Sequence, residues 1–273
     1  MLKSTFRFLI LIPFLISVSA EAETKVSYYI NLGGIKISDT TLSVNSNNEV
    51  WNIRSEISAA GIVDVIIEFR AFSESRGFIK GNKLIPETYS FSYETGKGRS
   101  RKGTLSYDMG IPFKLITQPE YDVDEKPDFD FLKEYGKETN DPYSALFVSG
   151  EFDDPCTYTA HGFDGIRAFK TKFIRPGKKE GIVIDDEKYE VLKCMGYFEP
   201  IIGYNPSEFL DETSKPGSVN YWYNYSSREN LWIPLKVIIE TPLGGFVMKA
   251  VAVETENLTI NKNWWIWQYQ QYH

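Results

Sequence analysis

The chain has 273 residues, a formal net charge of −7 and a pI near 5.1. An acidic protein of this kind repels polyanions, which excludes nucleic acid as its partner. Aromatic residues make up 15%, with 17 Tyr and 18 Phe against only two His and two Cys, so strands are favoured and histidine or thiol chemistry has little material.

Residues 1–22 read as a signal peptide. Lys3 and Arg7 form a basic start, Phe8 to Val18 is an uncharged apolar run, and Ala20-Glu21-Ala22 places small residues three and one before a cut. Cleavage is expected after Ala22, with delivery to the periplasm; an uncleaved anchor is the alternative. No Cys follows the run, so lipid attachment is not expected. No later apolar run reaches the length of a membrane helix.

Residues 23–256 are expected to form a single antiparallel β domain. Lys25 to Leu32, Ile35 to Val44 and Val50 to Ile57 alternate with period two around Gly33-Gly34 and Asn45 to Asn48, which predicts hairpins. Ile62, Val65, Ile66 and Phe69 keep helical spacing in β-branched residues, so a short helix or wide turn should lead into a strand from Arg70. Tyr89, Phe91 and Tyr93 share one strand face. Gly96 to Gly103 packs Lys97, Arg99, Arg101 and Lys102 between glycines, either as a solvated hairpin tip or as a contact for phosphate or lipid headgroups.

Pro119 to Asp130 is acidic but fails the calcium-loop pattern. Counted from Asp122, Pro127 stands where Gly is needed and Lys133 where Glu is needed, so no metal site is expected. Asp141-Pro142 is a good helix start; a short helix ending by Gly150 should pack on or inside a curved sheet. Hairpins resume around Asp164-Gly165 and Asp185-Asp186, and Val219–Tyr225, Trp232–Glu240 and Phe246–Val253 form a meander. Cys156 and Cys194 make an even pair in an exported chain and are expected to form a disulfide. Residues 257–273 follow as an aromatic tail or extra edge strand.

The fold class expected is therefore all-β: a curved antiparallel sheet, barrel-like or spiral, with one or two short helices. An outer-membrane barrel fits less well, because the hairpins carry charge on both faces.

The order of several short motifs carries a resemblance. They are Phe72-Ser-Glu-Ser-Arg-Gly77, Leu84-Ile-Pro86, Asp141-Pro-Tyr-Ser144, Phe163-Asp-Gly165, Cys194 before Pro200-Ile-Ile-Gly203, and Trp232-Ile-Pro-Leu-Lys236 before Gly244-Gly245. Across about residues 27–254 the chain resembles the exported bacterial proteins of domain-of-unknown-function family 3108. The resemblance implies a β-rich periplasmic protein without an assigned reaction. Curved sheets of this kind also invite comparison with carriers of lipids or lipoproteins, an analogy of fold alone.

Catalytic motifs are missing. There is no H-E-x-x-H, no zinc spacing, no phosphate loop, and Gly98-Arg-Ser100 lacks the second glycine of a hydrolase elbow. No cofactor and no metal is expected. His161 reads as a surface or sheet-edge residue. Asp153-Asp154 and Asp185-Asp186 are adjacent pairs at turns, poorly placed for the two-carboxylate cleavage of glycosides, which stays as the enzymatic alternative.

The positive feature is aromatic. Trp51, Tyr89, Phe91, Tyr93, Tyr221 and Tyr223 either line a pocket for an apolar ligand or fill a solid core. Trp264, Trp265 and Trp267 are candidates for an interface with an envelope protein or a membrane surface, or for an added strand. The expected role is non-enzymatic: maintenance of the cell envelope through a lipid, a lipoprotein or a protein partner, or as an interaction scaffold without a pocket.

Overall fold

The computed structural model describes residues 23–47, 49–122, 130 and 139–255. The expected signal peptide with its cut after Ala22, the tail bearing Trp264, Trp265 and Trp267, and the middle of the acidic loop lie outside the described residues.

Seven strands come first: β1 (Thr24–Leu32), β2 (Ile35–Ser46), β3 (Val50–Ala59), β4 (Arg70–Lys80), β5 (Lys83–Glu94), β6 (Ser100–Asp108) and β7 (Ile111–Gln118). After them come β8 (Val148–Ser149), β9 (Ala160–Phe163), β10 (Ala168–Phe173), β11 (Lys178–Ile184), β12 (Glu187–Ile202), β13 (Val219–Ser226), β14 (Leu231–Ile239) and β15 (Phe246–Thr255). All belong to one sheet in the order β7-β6-β5-β4-β3-β2-β1-β15-β14-β13-β12-β10-β9, with β11 on β12 and β8 on β14. The β1–β15 pair, with Tyr29 opposite Lys249, joins the two meanders.

The sheet curls because its ladders slip repeatedly. Register shifts occur at Ser27/Tyr28, Ile30/Asn31, Arg76/Gly77, Ser106/Tyr107 and Trp222/Tyr223, and each bulge adds local twist and bend. The two ends, β7 and β9, share no ladder. They meet through side chains instead: Leu105 and Tyr107 of β6 pack on Phe163 and Ala168, with Leu115 and Ile202 beside them. The Tyr107 hydroxyl donates to the Phe163 carbonyl at 3.3 Å. The expected all-β class is thus observed as an open, barrel-like curl. The tight β11–β12 turn uses Asp185 and Asp186 at φ 47° and 62°, the left-handed pair that matches strand twist.

Two short helices occur among the described residues. The first, α1 (Ile62–Ile67), falls where helical spacing placed it. The second, α2 (Glu208–Thr213), lies in the bend after Pro206; the Ser207 hydroxyl caps it by accepting from the Leu210 amide at 3.3 Å. The helix expected from Asp141 is corrected to a run of turns. Asn140 is pinned first, its amide donating to the His161 carbonyl at 2.5 Å and its carbonyl accepting from the Phe163 amide at 2.7 Å. Val148 and Ser149 are pinned next, against Trp232 and Leu231 of β14. Between these anchors only isolated helical bonds fit, Ala145 N–H to Asp141 O at 2.9 Å and Phe147 N–H to Tyr143 O at 3.0 Å.

This segment plugs the curl. Phe147 is fully buried among Val26, Leu42, Val44, Trp51 and Ile53 of the first meander and Leu231, Ile233 and Leu235 of β14. Cys156, in a 3-10 turn at Pro155–Thr157, is bonded to Cys194 of β12. That bridge ties the loop after the plug to the sheet, and Val148 and Tyr223 pack around it.

Candidate functional site

Register and alternation build one continuous row across six strands. Tyr28 faces Thr40, Thr40 faces Ile57, Ile57 faces Ala71, Ala71 faces Tyr93, and Tyr93 faces Arg101. Side chains that face one another across a ladder point to the same side, so the row shares the face of the core residues Val26 and Leu42. All six residues line an open cleft of about 1290 Å³. Residues of the opposite parity, among them Arg70, Phe72 and Lys102, complete its lining.

The row is apolar in its middle and polar at both ends. Ile57, Ala71 and Tyr93 supply the apolar surface. The Thr40 hydroxyl is buried, with the residue only 5% exposed, and has no hydrogen-bond partner among the described residues. The same holds for Nε of Arg101 at the other end of the row, whose guanidinium lies 3.8 Å from the centre of the Tyr121 ring. A buried polar group without a partner costs about 1–3 kcal/mol. The two stand four strands apart, about 19 Å along the sheet, so no single small group reaches both. The Tyr28 hydroxyl, by contrast, is satisfied by the Pro234 carbonyl at 2.9 Å.

Two to four residues further along the same strands, the wall turns polar: Ser55, Ser73 and Ser75 are all buried. They meet the plug. The Tyr143 hydroxyl lies 2.5 Å from the Ser73 hydroxyl. Asp141 is fully buried; its carboxylate accepts from the Ser144 hydroxyl at 2.6 Å and from the Tyr143 amide at 2.8 Å. Burial raises its pKa, while the hydroxyls of Ser144 and Ser75 and the Tyr143 and Ser144 amides pull it back. Burial likewise pushes the Tyr89, Tyr107 and Tyr143 phenols up, so they stay neutral. Every strong acceptor of Asp141 is occupied and the Asp141–Ser144 pair has no open face, so this cluster anchors the plug and does not present a nucleophile.

The six aromatic candidates do not form one pocket. Trp51 belongs to the main core, and Tyr221 and Tyr223 stack with ring centroids 5.5 Å apart near the disulfide. Burial pushes the Tyr221 phenol up to about 12. Tyr89 packs toward Leu105 and stands 6.1 Å from the Tyr143 ring. Phe91 lines a smaller hollow of about 320 Å³, and Tyr93 lines the main cleft. Thr40, Ile57 and Ala71 carry no chemical signature, and only the strand register brings them together with Arg101.

Three carboxylates, Asp39, Glu56 and Glu94, also line the cleft, but each is exposed and Asp39 is held by Lys36 at 2.6 Å. None has the apolar enclosure that a general acid of a glycosidase requires. His161 is half-buried on β9. Among the described residues only Asp154, Cys156 and Cys194 bring metal-type ligands within 4.8 Å of one another, and both sulfurs are in the disulfide. The Asp154 carboxylate instead accepts from the Cys156 amide at 2.9 Å and the Gly177 amide at 2.8 Å.

The profile of the family described as "Protein of unknown function (DUF3108)" matches residues 25–251, from β1 into β15. The chain belongs to this family. The match spans the plug, the disulfide and the whole cleft row of this DUF3108 protein, and it agrees with the resemblance read from the motifs. Among solved structures, the DUF3108 chain is similar to a β-barrel-like protein of domain of unknown function DUF1849 from Brucella abortus. The identity is 10% and the TM-score 0.43, covering 87% of this chain and 99% of that one. No curated protein matches.

Proposed function

We propose that this protein works by binding and not by chemistry, as an exported periplasmic protein that holds an amphiphile, an apolar chain with an anionic head, in the service of the cell envelope. The observation that carries this reading is the cleft row: apolar Ile57, Ala71 and Tyr93 flanked by two polar groups, on Thr40 and Arg101, that lack partners among the described residues. An anionic head would be held by the Arg101 guanidinium at one end of the row, and the chain would lie along Tyr93, Ala71 and Ile57 toward Thr40 at the other. Cleft volume exceeds the usual 300–1,000 Å³ of small-ligand sites, which suits a long, flexible ligand. The periplasmic address rests on residues 1–22.

The test is native mass spectrometry of the protein purified from the host envelope without detergent. The reading expects a bound lipid or fatty acid, released on denaturation and lost in Arg101→Gln. A protein that emerges empty and stays empty after exposure to an envelope lipid extract contradicts it.

A further inference from the structure

Helix α1 is an anomaly of burial. Its sequence, Ile62-Val-Asp-Val-Ile-Ile67, is almost wholly aliphatic, yet it buries none of its residues. Ile62 is 66% exposed, Val65 83% and Ile66 62%. A short helix in a globular protein normally turns its apolar side inward, and a cluster of exposed aliphatic side chains marks a contact surface. The helix is not loosely hung. The Ala60 amide donates to the Ile37 carbonyl at 3.0 Å and the Ala59 amide to the Phe69 carbonyl at 2.7 Å, so both its flanks are fixed to the sheet.

Antiparallel pairing puts the β1–β2, β3–β4, β5–β6 and β14–β15 connections at the same end of the sheet. They are also tied to one another. The Gly33 amide donates to the Gly245 carbonyl at 3.1 Å, beside Leu243, which is 72% exposed. The Gly96 amide donates to the Ile67 carbonyl at 3.0 Å, which docks the basic β5–β6 hairpin directly onto α1. Glu68 lies over Gly96 so closely that a Cβ there would stand 2.4 Å from its carboxylate. The hairpin tip carries Lys97, Arg99 and Lys102, all exposed; the acids of this end, Asp39, Glu56, Asp64, Glu68, Glu94, Glu120 and Asp122, stand around it, so the positive charge is concentrated at the tip and does not extend over the whole end.

Exposed aliphatic side chains bordered by cations are the complement of an anionic bilayer surface: acyl chains take the former and headgroup phosphates the latter. We propose that this end of the sheet docks on an anionic membrane, with Ile62, Val65, Ile66 and Leu243 entering the acyl boundary and Lys97 and Arg99 meeting the phosphates. The proposal does not require the cleft to hold a ligand. It gives a function to the basic hairpin and to an otherwise unexplained apolar helix.

Co-sedimentation of the full protein with vesicles of phosphatidylethanolamine and phosphatidylglycerol, against vesicles of phosphatidylcholine alone, tests it. Binding is expected to the anionic vesicles only. Lys97→Gln with Arg99→Gln should weaken it about thirtyfold, and Val65→Asp with Ile66→Asp should abolish it. Met109→Asp, at the opposite end, should leave it unchanged; circular dichroism checks that each variant is folded. Equal binding to both vesicle types, no binding to either, or wild-type binding by both α1 and hairpin variants overturns the proposal. So does a protein that ignores vesicles and forms a dimer that Val65→Asp with Ile66→Asp dissolves, since the apolar face then belongs to a second copy.

Discussion

The Tyr143 hydroxyl meets the Ser73 hydroxyl at 2.5 Å, joining the plug inside the curl to the wall at β4. An open sheet whose ends share no ladder needs such internal ties, and the plug supplies them from Asn140 to Ser149. Tyr143→Phe should lower stability by about 1–3 kcal/mol by deleting the bond between the plug and Ser73. Phe147→Ala removes the plug's buried ring and should cost about 3–5 kcal/mol. Urea denaturation measures both. Losses near zero would mean that the sheet holds its curl without the plug.

Asp141 gives a pH signature of definite sign. Burial raises its carboxyl above the usual 3.8, so the folded chain keeps a proton that the unfolded chain has already lost. The stability tied to this group is complete below the unfolded value, falls as pH rises through the interval up to the folded value, and is constant above it. Glu74 works the other way: its bond from Asn52, then the Arg54 contact, lowers its pKa, so its contribution fades as pH falls. Asp141→Asn keeps the shape and cannot ionise. Its urea midpoint should therefore miss the decline that the wild type shows as the pH rises out of the acid range. Parallel curves for the two proteins would contradict this account of Asp141.

Gly77 sits at the β4 bulge, where a side chain has no room. A Cβ there would stand 2.0 Å from the Ile85 carbonyl oxygen and 2.8 Å from the Trp51 ring. Backbone cannot retreat as a flexible side chain can, so Gly77→Ala should destabilise by about 1–3 kcal/mol. The Tm of the variant measures it; an unchanged Tm would mean that the bulge relaxes freely.

The disulfide closes the loop between positions 156 and 194, a separation of 38 residues. Replacing both cysteines with Ser should lower stability by about 2–4 kcal/mol, mostly through the unfolded state. The same variant should keep the cleft row, because the bridge lies with Val148 and Tyr223 on the other meander. Loss of folding under native conditions would show that the bridge is needed for assembly and not only for stability.

Much of the sheet was legible because hairpins are local. Alternation and turn residues placed β1 to β3, the Asp185-Asp186 turn and the β13–β15 meander within a few positions. The plug was legible as a helix start at Asp141 but not as a plug, because its shape is dictated by anchors at Asn140 and Val148 whose partners lie far along the chain. The cleft was nearly invisible. Thr40, Ile57 and Ala71 are ordinary strand residues, and only long-range register aligns them with Tyr93 and Arg101. Counting aromatics drew attention to Trp51 and Tyr223, but large rings suit a packed core as well as a cavity, and these two are core. The exposure of α1 is likewise a property of the folded molecule, since helical spacing says which residues share a face and not what covers it.

The central claim is that Arg101 holds the head of an amphiphile whose chain lies along Tyr93, Ala71 and Ile57, and a thermal-shift titration of the delipidated protein with oleate tests it most directly. Arg101→Gln should weaken binding about tenfold to hundredfold, as expected for losing a hydrogen bond to a charged group. Thr40→Val, four strands away from Arg101, should leave oleate binding near wild type and the ligand-free protein as stable as wild type or more so, because it removes a buried hydroxyl that has no partner among the described residues. A wild-type Tm that does not move with oleate, or an Arg101→Gln protein that binds it as tightly as wild type, would contradict the claim.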